Sequence, residues 1–445
     1  MNMDLKGGTN IHRTVLVSAG LAVVLGLAAC GGGGSGGGNG PGSKQFSLLI
    51  GNSLPLSGSS ESLGESGEKA SDLALEQIQQ AIGDAGADHT VRTVSEDQGS
   101  DPASATESAK KLVDEDRASC LTGPWSADAV EQTANDVAIP AKVLEISPVP
   151  TGKDVADLSD HDLVNSTALP ESLEGTALSK AIDEAHGGVQ GNSVSVASSS
   201  DSYGDNLSQD FIDDWQDKDG TVSEQTVLPA QPLSTSSAYS GLAYQITSHS
   251  PDPILLIDGL SGFTQLAPAL SSSSSWDPSI TWGSDRLVSP GLPNEVGSEA
   301  IDGMRALAPG IPKDKEASSA FVDDFKAADP HSVKPAPFAA QEFDATVLCY
   351  LASVAAGSTD GQQMADHLID ITAPGGDEFT WRQLPDAIKA LEDGKDIDYT
   401  GASGPIDMDV HGDPTSGVFD VYQYTGDGLE VVGEVSVEKP NPATP

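Results

Sequence analysis

The stretch "FSLLIGNSLPLSGSSESLGESGEKASDLALEQIQQAI", residues 46–82, changes its hydrophobic period partway along. Its opening, "FSLLIGN", is a short apolar run that reads as a strand. From Gly67 onward, Ala70, Ala74, Ile78 and Ile82 fall on one face with Leu75 flanking it, so "GEKASDLALEQIQQAI" reads as an amphipathic helix. A loop of small residues joins the two. A strand that feeds a helix is the building unit of a parallel sheet, since a parallel neighbour is reached only through a long crossover.

The unit recurs downstream. "HTVRTV" is the next strand and "DPASATESAKKLVDED" the next helix, capped by Asp101 with Pro102 at its first position. "ASCLTG", "AKVLEIS", "NSVSVAS", "GTVSEQTVL", "PILLID" and "SITWG" read as further strands. Between them "SADAVEQTANDVA", "SLEGTALSKAIDEA", "YGDNLSQDFIDDW", "SSAYSGLAYQIT" and "GFTQLAPAL" read as helices. Strand–helix alternation predicts an α/β fold of the doubly wound, parallel-sheet class. At 445 residues the chain is too long for one ordinary domain, so two lobes are expected. After about residue 295 helices dominate: "KEASSAFVDDFKAA", "FAAQEFDATVLCYLASVAA", "GQQMADHLIDI" and "WRQLPDAIKALEDG". The end differs. "YTGASGPIDMDVHGDPTSGVFDVYQY", residues 399–424, places two tight turns ahead of an alternating, aromatic-rich strand.

Composition excludes one class of partner. The chain has 67 acidic and 22 basic residues, a formal net charge of −45. Phosphate backbones require clustered Lys and Arg, so nucleic acid is not expected. The acidity fits a solvated surface or adaptation to high salt.

Upstream of the first strand, Lys6 and Arg13 precede an uncharged run from Thr14 to Ala29. That run is short for a transmembrane helix and suits a signal-peptide core, giving a leader over residues 1–29. Its end, Leu27-Ala28-Ala29-Cys30, resembles the bacterial lipobox. The resemblance implies cleavage before Cys30 and a diacylglycerol thioether on its sulfur. "GGGGSGGGNGPGSK" follows, so residues 30–44 read as a lipidated cysteine and a flexible tether. The expectation is an extracytoplasmic protein anchored to the membrane by lipid. The remaining cysteines, Cys120 and Cys349, lie in apolar stretches that read as a strand and a helix, which favours two buried free thiols over a disulfide.

Catalytic and metal motifs fail on inspection. The Gly-x-Ser-x-Gly at Gly33–Gly37 lies in the tether, not on a strand-to-helix elbow. Aligning "DKDG" on a calcium loop places Trp215 and Thr226 at the first and twelfth positions, and "DMDVHG" places Val418 at the twelfth. The eight histidines show no metal-ligand spacing. No enzyme, cofactor or metal is expected. Two adjacent strand ends, "LTGPWSADAV" and "EISPVPTG", carry cap-like loops instead. Ser126 is placed there as a helix N-cap, and free N–H groups at a helix start attract anions.

Five motifs resemble one family in order: "IGNSLPLSGSSESLGESGEKASDLALEQIQ", "LTGPWSADAV", "EISPVPTG", "FAAQEFDATVLCYLA" and "YTGASGPIDMDVHGDPTSG". They are similar to the leucine/isoleucine/valine-binding proteins, the type I periplasmic solute-binding proteins of ABC importers. The resemblance covers nearly everything after residue 45. It implies two lobes joined by three crossovers near residues 166, 290 and 401. The first lobe would combine 45–166 with 291–401, and the second 167–290 with 402–445. The final hairpin would be the last crossing and the closing strands of the second lobe. By the same resemblance, Ser126 and the N–H of Ala127 take an amino acid's carboxylate. Val149 and Thr151 meet its polar end, Asp285 pairs with its ammonium, Tyr203 matches the family's tyrosine after the second lobe's first strand, and Phe338 lines the site. Leu63 replaces the family's aromatic, and Trp125, which has no fixed counterpart in the family, is expected to close the pocket from the first lobe. The implied function is capture of an amino acid or similar small polar solute by a monomer and its delivery to an ABC permease. The alternative is a sensing subunit of the same fold that feeds a receptor or kinase.

Overall fold

The computed structural model describes residues 44–439 except 189–191, 230, 250, 314, 329–334 and 427. The expected leader, Cys30 and the tether as far as Ser43 lie outside the described residues.

Two sheets organise the chain. The first contains β1 (Phe46–Leu54), β2 (His89–Asp97), β3 (Cys120–Thr122), β4 (Leu144–Ser147) and β5 (Val164–Ser166), in the order β2-β1-β3-β4-β5. Every pairing in it is parallel. The second contains β6 (Ser193–Ser199), β7 (Thr221–Leu228), β8 (Ile254–Ile257), β9 (Thr281–Gly283) and β10 (Arg305–Pro309). Their order, β7-β6-β8-β9-β10, repeats that of the first sheet. In both, the winding direction reverses beside the first strand, which opens a crevice at the carboxyl ends of the strands. A small parallel pair, β11 (Asp377–Thr380) and β12 (Ile397–Thr400), stands apart from both sheets. The second sheet is completed by β13 (Ser416–Thr425) antiparallel to β10 and β14 (Gly428–Glu438) antiparallel to β13. The alternating strand anticipated near the end of the chain is β13.

Burial explains the layering. In β8, Leu255 and Ile257 join one apolar cluster with Phe211 and Trp215. Ile254 and Leu256 join another with Phe263 and Leu266. A strand covered on both faces is continuously apolar, as "ILLI" is. In the first lobe, Ala70, Ala74 and Ile78 of the helix Glu61–Ala85 pack with Leu48 and Ile50 of β1. The helix Ala339–Ala356 lies in the same core, and all of its residues through Val354 are buried.

Two expectations are corrected. Cys120 and Cys349 are joined in a disulfide, with Cα atoms 5.9 Å apart. β3 packs against the buried helix, which brings the two cysteines within bridging range. The second crossover also moves. β10 pairs with β9 and β13, so the chain leaves the second sheet after Pro309 rather than near residue 290.

Candidate ligand-binding site

The carboxyl ends of the two sheets face each other across a cavity of about 260 Å³. Pockets for small molecules run from about 300 Å³ upward, so this one suits a compact solute. The loops after β1, β3 and β4 supply Pro55, Trp125, Ser126 and Val149 from the first lobe. Those after β6, β8 and β9 supply Tyr203, Gly259 and Asp285 from the second.

On the first-lobe wall Ser126 holds the extended N-cap geometry of the helix that starts at Ala127, with φ −159° and ψ 145°, but its hydroxyl makes no cap bond. The first intrahelical bond runs from the Val130 N–H to the Ser126 carbonyl, so the preceding N–H groups have no helical acceptor. Trp125 donates its backbone N–H to Gln98 Oε1 at 2.9 Å. Its ring lies on Gly67, where an added Cβ would fall 2.4 Å from Cζ2, so a glycine in mid-helix makes room for it. Trp125 meets Phe338 edge to face at 6.1 Å. Phe338 has φ 68°, a left-handed conformation that is strained for a bulky side chain. With Leu63 and Val149 these rings form the apolar end of the cavity. Behind that wall Thr122 donates to the buried Glu342 at 2.5 Å. Burial pushes the Glu342 carboxyl up to about 8.

The second-lobe wall is charged. Tyr203 is 2% exposed and its hydroxyl donates to Asp285 Oδ1 at 2.5 Å. The Arg286 guanidinium stacks 3.6 Å above the Tyr203 ring centroid. Burial raises the Asp285 carboxyl, opposed by the Tyr203 hydrogen bond and by Arg286. Burial also works against the charge of Arg286, but Tyr203 and the acids Asp201, Asp128 and Asp285 outweigh it and push its pKa up. Behind them the Asp285 N–H donates to Glu174 Oε1 at 2.9 Å, and burial holds Glu174 well above its ordinary value. Burial likewise lifts Glu171 to about 8. The lobes touch where Ser202 donates to Asp128 at 3.1 Å.

Eight of the nine residues singled out from the sequence line this one cavity: Leu63, Trp125, Ser126, Ala127, Val149, Tyr203, Asp285 and Phe338. Thr151 does not. Past Pro150 the chain leaves the cavity lining, and the Thr151 hydroxyl donates to buried Asp413 at 2.8 Å. Sequence reasoning missed Arg286, Gln98, Asp128 and the Gly259–Ser261 loop. The loop had a signal, since it follows the apolar strand "PILLID".

A second cavity, about 780 Å³, lies beyond Phe338 between the helix Glu316–Ala328 and the β13–β14 hairpin. It takes Pro309 from the carboxyl end of β10 but no residue from the loops after β1, β3, β4, β6 or β8. Among the described residues no group of three or more His, Cys, Asp or Glu is placed to hold a metal ion. No described helix is long and apolar enough to cross a membrane.

A family model described as "Periplasmic binding protein" matches residues 47–428. A chemotactic signal transduction system substrate-binding protein, BasB, of Halobacterium salinarum is 23% identical over 400 residues, covering 86% of this chain and 88% of its own. The leucine-binding protein LivK of Thermotoga maritima superposes with a TM-score of 0.67 at 19% identity, covering 88% of this chain and 99% of its own. A solute-binding protein of an R. palustris ABC transporter, in complex with benzoate, gives 0.63 at 20% identity, covering 89% and 99%.

Proposed function

Because the chain belongs to the periplasmic binding protein family, we propose that it captures a small carboxylate-bearing solute, an amino acid foremost, between its lobes outside the membrane. The observation that carries this reading is the shared cavity: residues from six strand ends of both lobes converge on it. Its two ends differ in kind. Trp125, Phe338, Leu63 and Val149 suit an apolar group, while Ser126, the Ala127 N–H, Tyr203 and Asp285 suit a zwitterion's charged groups. Leucine and benzoate, named for two structural neighbours, share an apolar body and a carboxylate.

Delivery to an ABC permease follows if closure over the ligand is what the membrane partner reads, so the ligand must prefer the closed arrangement. The protein acts as a monomer held at the membrane by lipid on Cys30. A second reading is favoured by one observation. The relative BasB is named for chemotactic signal transduction, so the closed form would then be presented to a receptor.

Deleting the gene separates the two. Loss of solute uptake with taxis intact supports import, and the reverse supports sensing. Cys30→Ser should release the protein from the membrane fraction, and retention would remove the lipid anchor.

A further inference from the structure

We infer that Arg286 is a ligand-contacting residue that selects solutes bearing a carboxylate, reaching it from the second lobe. This deepens the cleft reading above and rests on it. Arg286 is the only cation among the residues lining the cavity, in a chain of net charge −45. Its guanidinium has five N–H donors and accepts no hydrogen bond. Nη1 meets Asp201 Oδ2 at 3.4 Å, long for an N–H···O bond. The other Asp201 oxygen already accepts the Ser199 hydroxyl at 2.7 Å and the Gly204 N–H at 2.8 Å. Nη2 is buried and has no hydrogen-bond partner. One face is covered by Tyr203, which supplies attraction but no acceptor oxygen in the guanidinium plane.

A planar fork whose Nη2 has no partner and whose Nη1 has only one long contact matches a planar pair of oxygens. The surroundings decide which anion. Asp128 and Asp285 line the same cavity, so a dianion would meet two carboxylates, whereas a zwitterion's ammonium would be matched by them. Asp285, next in sequence to Arg286, lines the same cavity and would take the α-ammonium of an amino acid. Ser126 and Ala127 open onto the same space from the first lobe. A ligand carboxylate would therefore engage both walls, and its charge would draw the lobes together.

The test is isothermal titration of the purified full-length protein with leucine, valine, phenylalanine and benzoate, each beside its amide. Where an acid binds, its amide should bind at least about 10-fold more weakly. Arg286→Gln should weaken the acids by about 10- to 100-fold, the range for a hydrogen bond to a charged group, and leave any amide binding unchanged. Arg286→Lys, which keeps the charge, should retain part of the affinity. Acid and amide binding equally to the wild type would overturn the inference and leave the cleft reading standing. An equal loss of both in Arg286→Gln would do the same, because it would reduce Arg286 to a scaffold for Tyr203. If no acid or amide binds, both readings fail. Should Arg286→Gln not fold, the wild-type discrimination and Arg286→Lys decide.

Discussion

Ser126 and Thr151 each offer a hydroxyl at the end of a first-lobe strand, and their environments assign them different roles. The Ser126 hydroxyl makes no cap bond and faces the cavity. Ser126→Ala should weaken ligand binding by about 1–3 kcal/mol with little change in stability; calorimetry reading unchanged affinity would remove it from the site. Thr151 donates to buried Asp413, so Thr151→Val should leave affinity intact and lower stability in urea by about 1–3 kcal/mol. A lost affinity with normal stability would restore Thr151 to the site. Gly67→Ala drives a methyl into the Trp125 ring, which should shift the tryptophan emission and weaken binding together. At this scale the sequence revealed which loops meet, because small residues and prolines at strand ends mark them. It did not reveal that Val149 and Thr151, two residues apart, diverge at Pro150. Nor did it single out Arg286, whose importance depends on partners distant in sequence, Tyr203 and Asp201.

Strands legible from the sequence are those whose own pattern suffices. "FSLLIGN" and "PILLID" carry continuous apolar runs, whereas β10, "RALAP", has no β-branched residue and ends in proline. Its place comes from pairing with β9 and β13, and missing it displaced the second crossover. β11 and β12 were hidden likewise, at four residues each, amid helices. The cysteines show the same limit. A strand and a helix hold one each, and only their packing makes the bridge. Because the disulfide closes a separation of 229 residues, breaking it should cost about 2–5 kcal/mol. Denaturation with and without reductant, checked against a Cys120→Ser/Cys349→Ser double variant, measures this. Equal stability of the oxidised and thiol-free forms would contradict a bridge that supports the first-lobe core.

The whole molecule carries a charge of −45, and self-repulsion of that size opposes the compact state. Added salt screens it, so the thermal midpoint should rise with sodium chloride, and a fall would contradict that account. Buried acids set the pH response. Burial raises Glu171 and Glu342 to about 8 and Asp258 to about 7. The folded chain keeps these protons where the unfolded chain has released them. The stability they contribute is therefore complete below the ordinary carboxylate range and is lost as pH rises through about 8. Urea midpoints should accordingly fall between about pH 5 and pH 8; a rise would mean that these carboxyls ionise freely in the folded state. The central claim is that this two-lobed protein holds a small solute in the cleft between its strand ends. Its most direct test is a thermal-shift screen of the purified protein with the twenty amino acids, simple aromatic acids and their amides, at low and high salt. A solute at 100 times its dissociation constant adds about 2.7 kcal/mol. The account predicts that at least one carboxylate-bearing solute raises the midpoint and that Trp125→Ala abolishes the shift. No shift with any solute at either salt, or a shift that survives Trp125→Ala and Ser126→Ala unchanged, would contradict it.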